Sequence, residues 1–167
     1  MGNNLSSRNK GSELPITDIS CADYQEFIKK LNQKTSGGYR LPTEAEWEYT
    51  CRAGTTTAYS FGNEITPEDA NYDDSKIGKP VAVGSYKPNA IGLFDMHGNA
   101  WEWCNDWYGS LQNVEVTDSK GPVTGERRVL RGGSFYIDGS KARSSSRFFY
   151  TPTYRIHSNG FRLAKTL

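Results

Sequence analysis

The sequence predicts an α+β fold, in which two helices pack on small antiparallel sheets joined by long ordered loops. Three observations lead to this prediction. Two amphipathic helical patterns with capping signals lie in the first third of the chain. Beyond residue 55 the strand-like pieces are short, and the 17 glycines and seven prolines indicate many tight turns between them. A chain of 167 residues is expected to form a single domain, residues 1–167.

The first helix is predicted to begin after Ser20, a good N-cap residue that is followed by the acidic Asp23. The sequence Ser36-Gly37-Gly38 ends it. Between these signals, apolar side chains recur at the spacing i, i+3, i+4 and i+7, which places them on one helical face. These side chains are Tyr24, Phe27, Ile28 and Leu31.

The second helix carries a clearer start signal. Thr43 and Glu46 form a capping box, in which each side chain is expected to bond to the other residue's backbone N–H. The helix should run through Trp47 to about Arg52, and Gly54 stands where a C-cap glycine belongs.

The rest of the chain is predicted to be loops with four short strands, which are Ala58–Phe61, Val81–Val83, Val129–Leu130 and Phe161–Ala164. Gly132-Gly133 should let the backbone pass close to another element, and Arg131 and Arg162 should tie loop carbonyls through their planar donors. The indoles of Trp101, Trp103 and Trp107 are interpreted as core beneath irregular loops.

Charge and cysteine content exclude several classes of protein. Lys and Arg number 20 and Asp and Glu number 19, so the net charge of +1 argues against nucleic acid or an anionic membrane as partner. No apolar run is long enough to cross a membrane. Residues 1–12 form a polar N-terminal extension without a secretion signal, although a leader removed earlier would leave the same sequence.

The three cysteines lack zinc-site spacing and are predicted to be buried free thiols; one disulfide plus one thiol is the alternative.

Aromatic residues make up 13% of the chain and are concentrated near its end. Six of the 24 residues in the segment 135–158 are aromatic. The run Phe148-Phe149-Tyr150 cannot turn all three rings inward from a loop, so at least one ring should face solvent or a partner. The neighbouring Ser, Asp, His and Arg residues complete a composition similar to that of antibody binding sites.

Four strings of residues resemble the formylglycine-generating-enzyme/sulfatase-modifying family, which has a variant of the C-type lectin-like fold. They are Tyr39-Arg40-Leu41-Pro42-Thr43-Glu44-Ala45-Glu46-Trp47-Glu48-Tyr49, the stretch 89–103, Arg128-Val129-Leu130-Arg131-Gly132-Gly133-Ser134-Phe135 and Gly160-Phe161-Arg162-Leu163. The resemblance implies the C-type lectin-like fold for this chain. The family's usual N-terminal strands have no counterpart here, as expected of a trimmed or minimal version.

The resemblance also implies a structural calcium site, the only cofactor expected. The matching positions are Asp95, Gly98, Ala100 and Glu102, which offer two carboxylates and two backbone carbonyls to a cation that prefers oxygen ligands. The alternative is that Asp95 caps a turn and that Glu102 pairs with a nearby arginine.

The family's enzymes use copper held by two cysteines five residues apart. Counted back from Gly160, the corresponding positions here are Gly139 and Ser144, and neither can supply a thiolate to Cu(I). The two histidines, His97 and His157, form no recognisable Cys–His pair in sequence, and no nucleophile motif is present. The chain is therefore predicted not to be an enzyme; a copper oxidase is kept as an alternative.

A second resemblance is to the variable proteins of diversity-generating retroelements, whose hypervariable residues lie in this C-terminal segment, here residues 132–160. Mutagenesis at adenines changes asparagine codons in those proteins. The segment contains no Trp, Gln, Glu or Met, which such changes cannot produce. The residues that stand where asparagine would be common are Tyr136, Ile137, Asp138, Phe148, Phe149, Tyr150, Thr153, Tyr154, Ile156, His157 and Ser158.

The sequence therefore predicts a non-catalytic ligand-binding protein with a diversified aromatic-polar surface that recognises a protein or cell-surface ligand. The expected anchors are the five Tyr and Phe residues of that set, and the other six residues should tune specificity. Such a protein would be surface-displayed, virion-associated or secreted. Two further alternatives remain, namely an ordinary surface that is not diversified and an accessory structural domain of a larger assembly.

Overall fold

The computed structural model describes residues 4–6, 8, 10–111 and 116–166. Helix α1 is Cys21–Lys34, as the sequence predicts. The Asp23 carboxylate accepts hydrogen bonds from the Ser20 backbone N–H at 2.7 Å and from its hydroxyl at 2.6 Å. Tyr24 and Leu31 lie on the buried face of the helix. The predicted start and apolar face of α1 are confirmed.

Helix α2 is Glu44–Arg52, and the predicted capping box is present. The Glu46 N–H donates to Thr43 Oγ1 at 3.1 Å, and the Thr43 N–H donates to Glu46 Oε2 at 2.8 Å. The Arg40 guanidinium also bonds both oxygens of Glu46, which lowers the pKa of that carboxyl to about 2. Gly54 follows the helix with a φ of 90°, the conformation expected after a C-cap.

The main sheet has four strands in the order β4-β3-β2-β5, and a second sheet pairs β1 with β6. The β2–β3, β3–β4 and β1–β6 ladders are antiparallel, as expected, but β2 and β5 pair in parallel. The strands are β1 Tyr39–Arg40, β2 Trp101–Trp107, β3 Arg128–Arg131, β4 Phe148–Tyr150, β5 Asn159–Phe161 and β6 Ala164–Lys165.

The strand predictions are partly wrong. Val129–Leu130 lies within β3, and Phe161–Ala164 bridges the end of β5 and the start of β6. Ala58–Phe61 contributes only an isolated bridge. Val81–Val83 is a loop, because the Val81 N–H bonds the Asn99 side chain rather than a neighbouring strand.

Three strands were missed, namely β1, β2 and β4. Strand β2 is buried on both faces over Trp101–Cys104, so it lacks the alternating pattern that identifies a half-buried strand. It is the centre of the main sheet rather than an irregular loop. Trp107, at the end of β2, was predicted to belong to the core with Trp101 and Trp103. It is only half-buried, so this part of the prediction is wrong.

Each face of the main sheet has its own core. Trp101, Trp103 and Leu130 pack with α1 residues on one face. Cys104 and Val129 pack with α2 on the other. The three cysteines are free and buried, as predicted.

Arg131 is fully buried and holds the chain that follows β3. Its Nη1 donates to the carbonyls of Ser145 at 3.0 Å and Ser146 at 2.6 Å, and its Nη2 donates to the Ser144 carbonyl at 2.9 Å. Nη2 also bonds the Glu48 carboxylate of α2. The predicted role of Arg131 in tying loop carbonyls is confirmed.

Gly132 and Gly133 have φ values of 92° and 85°, in the left-handed region. A Cβ on Gly132 would lie 3.1 Å from Trp47, and a Cβ on Gly133 would lie 3.0 Å from the Ala142 backbone. The sharp turn after β3 therefore needs glycine for both its conformation and its close contacts.

Part of the predicted polar N-terminal extension belongs to the folded body. Ser6 is fully buried, and its Oγ accepts a hydrogen bond from the Thr17 N–H at 2.9 Å. Residues 1–3, 7 and 9 of the extension lie outside the described residues. Among the described residues, no helix is both long and apolar enough to cross a membrane.

We expect Arg131→Lys to lower the free energy of unfolding by about 2–4 kcal/mol, because lysine keeps the charge but cannot reach all three carbonyls. Denaturant unfolding measures this change. Arg143→Lys, at an exposed arginine three residues before Ser146, is the matched control and should change little. Equal effects of the two variants would contradict the role given to Arg131.

Candidate ligand-binding surface

The segment 151–158 crosses one face of the main sheet. Strands β4 and β5 lie at opposite edges of this sheet, and both run in the same direction as β2. The connection between them must therefore pass over β3 and β2. It lies against the start of α1, where the Cys21 N–H bonds the Pro152 carbonyl at 2.8 Å and the Asp18 N–H bonds the Ile156 carbonyl at 3.0 Å.

Five rings of the predicted set form one group, which we call the aromatic surface: Tyr136, Phe148, Tyr150, Tyr154 and His157. Tyr150 stacks on Tyr154 with ring centroids 4.6 Å apart and meets Phe148 edge-on at 5.3 Å. Tyr136 stacks on His157 at 5.8 Å. Burial, together with the nearby Tyr136 and Tyr154 hydroxyls, raises the pKa of Tyr150.

The aromatic surface rests on a layer of buried rings. Phe148 stacks on Trp101 at 5.4 Å, and Trp101 is only 3% exposed. Phe135, also 3% exposed, lies 5.4 Å from Tyr136 and 5.7 Å from His157. The upper rings keep 38–48% exposure at Phe148, Tyr136 and Tyr154. They are therefore held in place from below and open to solvent above.

Phe149 lies at the border of the aromatic surface. Its ring stacks on Phe148 with centroids 5.6 Å apart, although strand alternation directs its side chain toward the opposite face of the sheet. There its ring packs on Tyr108 at 4.4 Å and lies 4.6 Å below the Arg127 guanidinium. Phe149 therefore contacts rings on both sides of β4, and its role as an anchor stays a prediction.

The six residues expected to tune specificity are also divided. Ser158 is fully buried and its carbonyl accepts from the Trp101 N–H at 2.8 Å, so its side chain is not offered to a ligand. Ile137 is half-buried against the core. The exposed Asp138 caps the short 3-10 helix Gly139–Ala142 by accepting from the Ser140 N–H at 2.8 Å. The remaining three are His157 in the aromatic surface, the exposed Thr153 and the half-buried Ile156.

The segment predicted to bind calcium shows features of both interpretations. Asp95 Oδ2 accepts from the Gly84 N–H at 2.7 Å, whereas its Oδ1 is buried without a hydrogen-bond partner. Burial raises the pKa of Asp95. Glu102 pairs with Arg162 at 2.7 Å and accepts from the Trp47 indole at 2.7 Å, as the alternative predicts.

A cation here would depend on backbone oxygens. No cluster of three or more His, Cys, Asp or Glu side chains suited to a metal occurs among the described residues. The predicted set instead adds the main-chain positions Gly98 and Ala100 to two carboxylates. The unpartnered Asp95 oxygen fits such a set.

One pair of reactive residues was missed by the sequence analysis. Cys51 Sγ lies 3.7 Å from His97 Nε2, although the two residues are 46 positions apart and no local motif signals the contact. His97 Nδ1 bonds the Ala142 carbonyl at 2.7 Å, so Nδ1 carries the proton, and Nε2 accepts from the Ser60 N–H at 3.1 Å. Burial lowers the pKa of His97 and raises that of Cys51 to about 11. The pair is thus neutral at pH 7 and not a thiolate–imidazolium pair.

The two positions counted as copper ligands are both buried. The Gly139 carbonyl accepts from the Tyr59 hydroxyl at 2.9 Å, and a Cβ at Gly139 would lie 2.8 Å from Ile65. The Ser144 N–H donates to the Ala58 carbonyl at 2.9 Å. Both positions are thus packed against neighbouring backbone, and neither supplies a thiol.

Comparison with known proteins places the chain in a family. The model for the sulfatase-modifying factor enzyme 1-like domain matches residues 2–167. Formylglycine-generating enzyme of Mus musculus is 38% identical over 171 residues, covering 92% of this chain and 44% of that protein. The chain spans about half the length of the formylglycine-generating enzymes it matches.

Solved structures extend the likeness. Treponema denticola variable protein 1 aligns with a TM-score of 0.92 at 28% identity, covering 99% of this chain and 78% of that one. The U1 variant of Major Tropism Determinant aligns at 0.57 and 18% identity, covering 97% and 42%, which shows a shared fold alone. The predicted C-type lectin-like fold and the resemblance to variable proteins are confirmed. The chain belongs to the family of sulfatase-modifying factor enzyme 1-like domains.

Proposed function

We propose that the chain is a non-catalytic ligand-binding domain that recognises a protein or cell-surface ligand through the aromatic surface. The observation that carries this proposal is the two-layered arrangement of rings, in which exposed Tyr136 and Phe148 rest on buried Phe135 and Trp101. Rings fixed in this way lose little conformational entropy on binding, which makes them effective anchors. The likeness to a variable protein supports the proposal.

We further propose that the exposed residues of this surface are diversified by a retroelement. The members that reach solvent, Tyr136, Phe148 and Tyr154, and the adjacent exposed Thr153 all belong to the set accessible from asparagine codons. A protein of this kind would be surface-displayed, virion-associated or secreted. Neither nucleic acid nor a membrane is expected as partner, since the net charge is +1.

The competing function is that of a copper oxidase of the formylglycine-generating type, and the Mus musculus relative is named formylglycine-generating enzyme. Its chemistry requires a soft thiolate pair. Gly139 and Ser144 offer none, and Cys51 is buried with its pKa raised to about 11. Stoichiometric binding of Cu(I) by the purified chain would favour the oxidase. If the chain is always isolated together with one partner that covers the aromatic surface, the result would favour an accessory domain of a larger assembly.

The exposed rings should be replaceable without loss of the fold. We expect the double variant Tyr136→Ser/Tyr154→Ser to keep its free energy of unfolding within about 1 kcal/mol of the parent, because both rings are more than 40% exposed. Phe135→Ser, in the buried layer below, should cost about 3–4 kcal/mol. Denaturant unfolding compares the two. A large loss in the double variant would assign these rings to the core and contradict the proposal.

The neighbouring DNA tests diversification directly. We expect a near-copy of the coding sequence for residues 132–160, differing at adenines and lying beside a reverse-transcriptase gene. The substitutions should fall on codons for exposed residues such as Thr153 and Tyr154 and should spare those for Gly132 and Gly133. Absence of such a copy would leave a ligand-binding surface of the ordinary, non-diversified kind.

We also propose that calcium binds Asp95, Glu102 and the carbonyls of Gly98 and Ala100. The buried Asp95 oxygen without a partner supports this proposal, since a buried carboxylate oxygen is costly to leave unpaired. The ion would serve as a structural ligand for the loop that precedes β2.

Calcium at about a hundredfold excess over its Kd should stabilise the chain by about 2.7 kcal/mol and raise Tm by roughly 5–10 °C. Asp95→Ala should abolish the increase. Asp69→Ala, which removes a carboxylate that caps a different loop, is the matched control and should retain it. A Tm unchanged by calcium and by chelator would overturn the proposal.

A further inference from the structure

A second recognition feature adjoins the aromatic surface. A groove of 430 Å³ opens between the start of α1, the end of β2 and the crossing segment. Its walls are apolar at Trp107 and Pro152, and polar at Arg128, Thr153 and Arg155. No Asp or Glu is among the residues that line it. The lining therefore supplies two arginines and no carboxylate of its own.

Arg128 is the central feature of this groove. Its Cζ lies 3.7 Å from the centroid of the Trp107 ring, which places the guanidinium over the indole. Its Nη1 donates to the Asn105 carbonyl. Among the described residues, no carboxylate lies within 4.0 Å of the Arg128 guanidinium. Its other donors remain available to a ligand, in the planar arrangement that suits an oxyanion.

Arg155 has a different role, because it is already paired. It bonds the Asp23 carboxylate and the Asp18 carbonyl, which fixes its side chain at the rim. Thr153 is exposed and also lines the groove. The groove is thus shaped by one paired arginine and one arginine with free donors.

The groove and the aromatic surface are continuous. Arg128 is the cross-strand neighbour of Tyr150 in the β3–β4 ladder. Tyr154 stacks on Tyr150, while its sequence neighbours Thr153 and Arg155 line the groove. A macromolecule that covers the aromatic surface would therefore reach the groove with an adjacent side chain or terminus.

We propose that the groove binds a carboxylate of the protein ligand, held by Arg128 against the Trp107 ring. This inference rests on the proposed ligand-binding function of the aromatic surface. The chemistry that carries it is a fixed guanidinium with free donors in a groove whose lining includes no carboxylate. The ligand is therefore expected to carry an acidic residue or a C-terminus next to an apolar patch.

Acetate is a probe that needs no knowledge of the ligand. We expect acetate, titrated against chloride at constant ionic strength, to shift the Trp107 indole N–H resonance in a saturable manner. Arg128→Gln should weaken this response about tenfold or more. Arg127→Gln is the matched control, since Arg127 is adjacent in sequence but lies over Phe149 on the opposite face of the sheet. It should respond as the parent does.

A variant at the exposed rim keeps the test valid if Arg128→Gln disturbs the fold. Thr153→Asp adds a negative charge beside the groove and should weaken acetate binding, whereas Thr153→Asn should not. A response that saturates with inorganic phosphate but not with acetate would overturn the carboxylate assignment. An unsaturable response, or one that is equal in Arg128→Gln and Arg127→Gln, would overturn the site.

The probe also separates this inference from the proposed function. Tyr136→Ser/Tyr154→Ser removes exposed rings but leaves Arg128 and Trp107 in place, so acetate binding should persist in it. Failure of acetate binding would remove the groove from the recognition surface and leave the aromatic surface as the proposed site.

Discussion

The buried guanidinium of Arg131 is the interaction on which the half of the molecule that carries the aromatic surface depends. A buried charge is costly unless its donors are satisfied, and here three consecutive carbonyls and the Glu48 carboxylate satisfy four of them. The same contacts fold residues 144–146 back toward β3. This places β4 at the edge of the sheet, and β4 in turn carries Phe148 and Tyr150 onto the α1 face. A loop without regular structure thereby acquires a fixed position.

Local signals predicted the parts of this architecture that depend on local chemistry. The capping residues Ser20 and Thr43 identified both helices, because a cap is a property of a few adjacent residues. Arg131 was also anticipated, since a buried arginine next to glycines has few partners other than carbonyls. Strand β2 escaped detection, because burial on both faces removes the alternation by which strands are recognised in sequence.

The aromatic surface could be anticipated from the sequence but not resolved into faces. Aromatic density predicted that rings near residue 148 reach solvent, and Phe148 and Tyr150 lie in the aromatic surface. The packing of Phe149 on Tyr108 as well as on Phe148 was not predicted, because only a strand directs alternate residues to opposite faces. The burial of Ser158 and the Cys51–His97 contact both depend on long-range pairing, which has no local signature. The aromatic residues of the chain therefore fall into two groups. The tryptophans serve mainly the scaffold, and a smaller group of rings lies above it.

The way in which the crossing segment is held has a consequence for how freely it can change. Its attachments to α1 use the backbone carbonyls of Pro152 and Ile156, and its end is fixed to β2 through the Ser158 carbonyl. A carbonyl is present whatever side chain the residue carries, so these attachments do not depend on the identity of the residues between them. The path of the loop and the chemistry that it displays are thus separately encoded. New specificities can arise at the outward positions while the backbone that supports them is inherited unchanged.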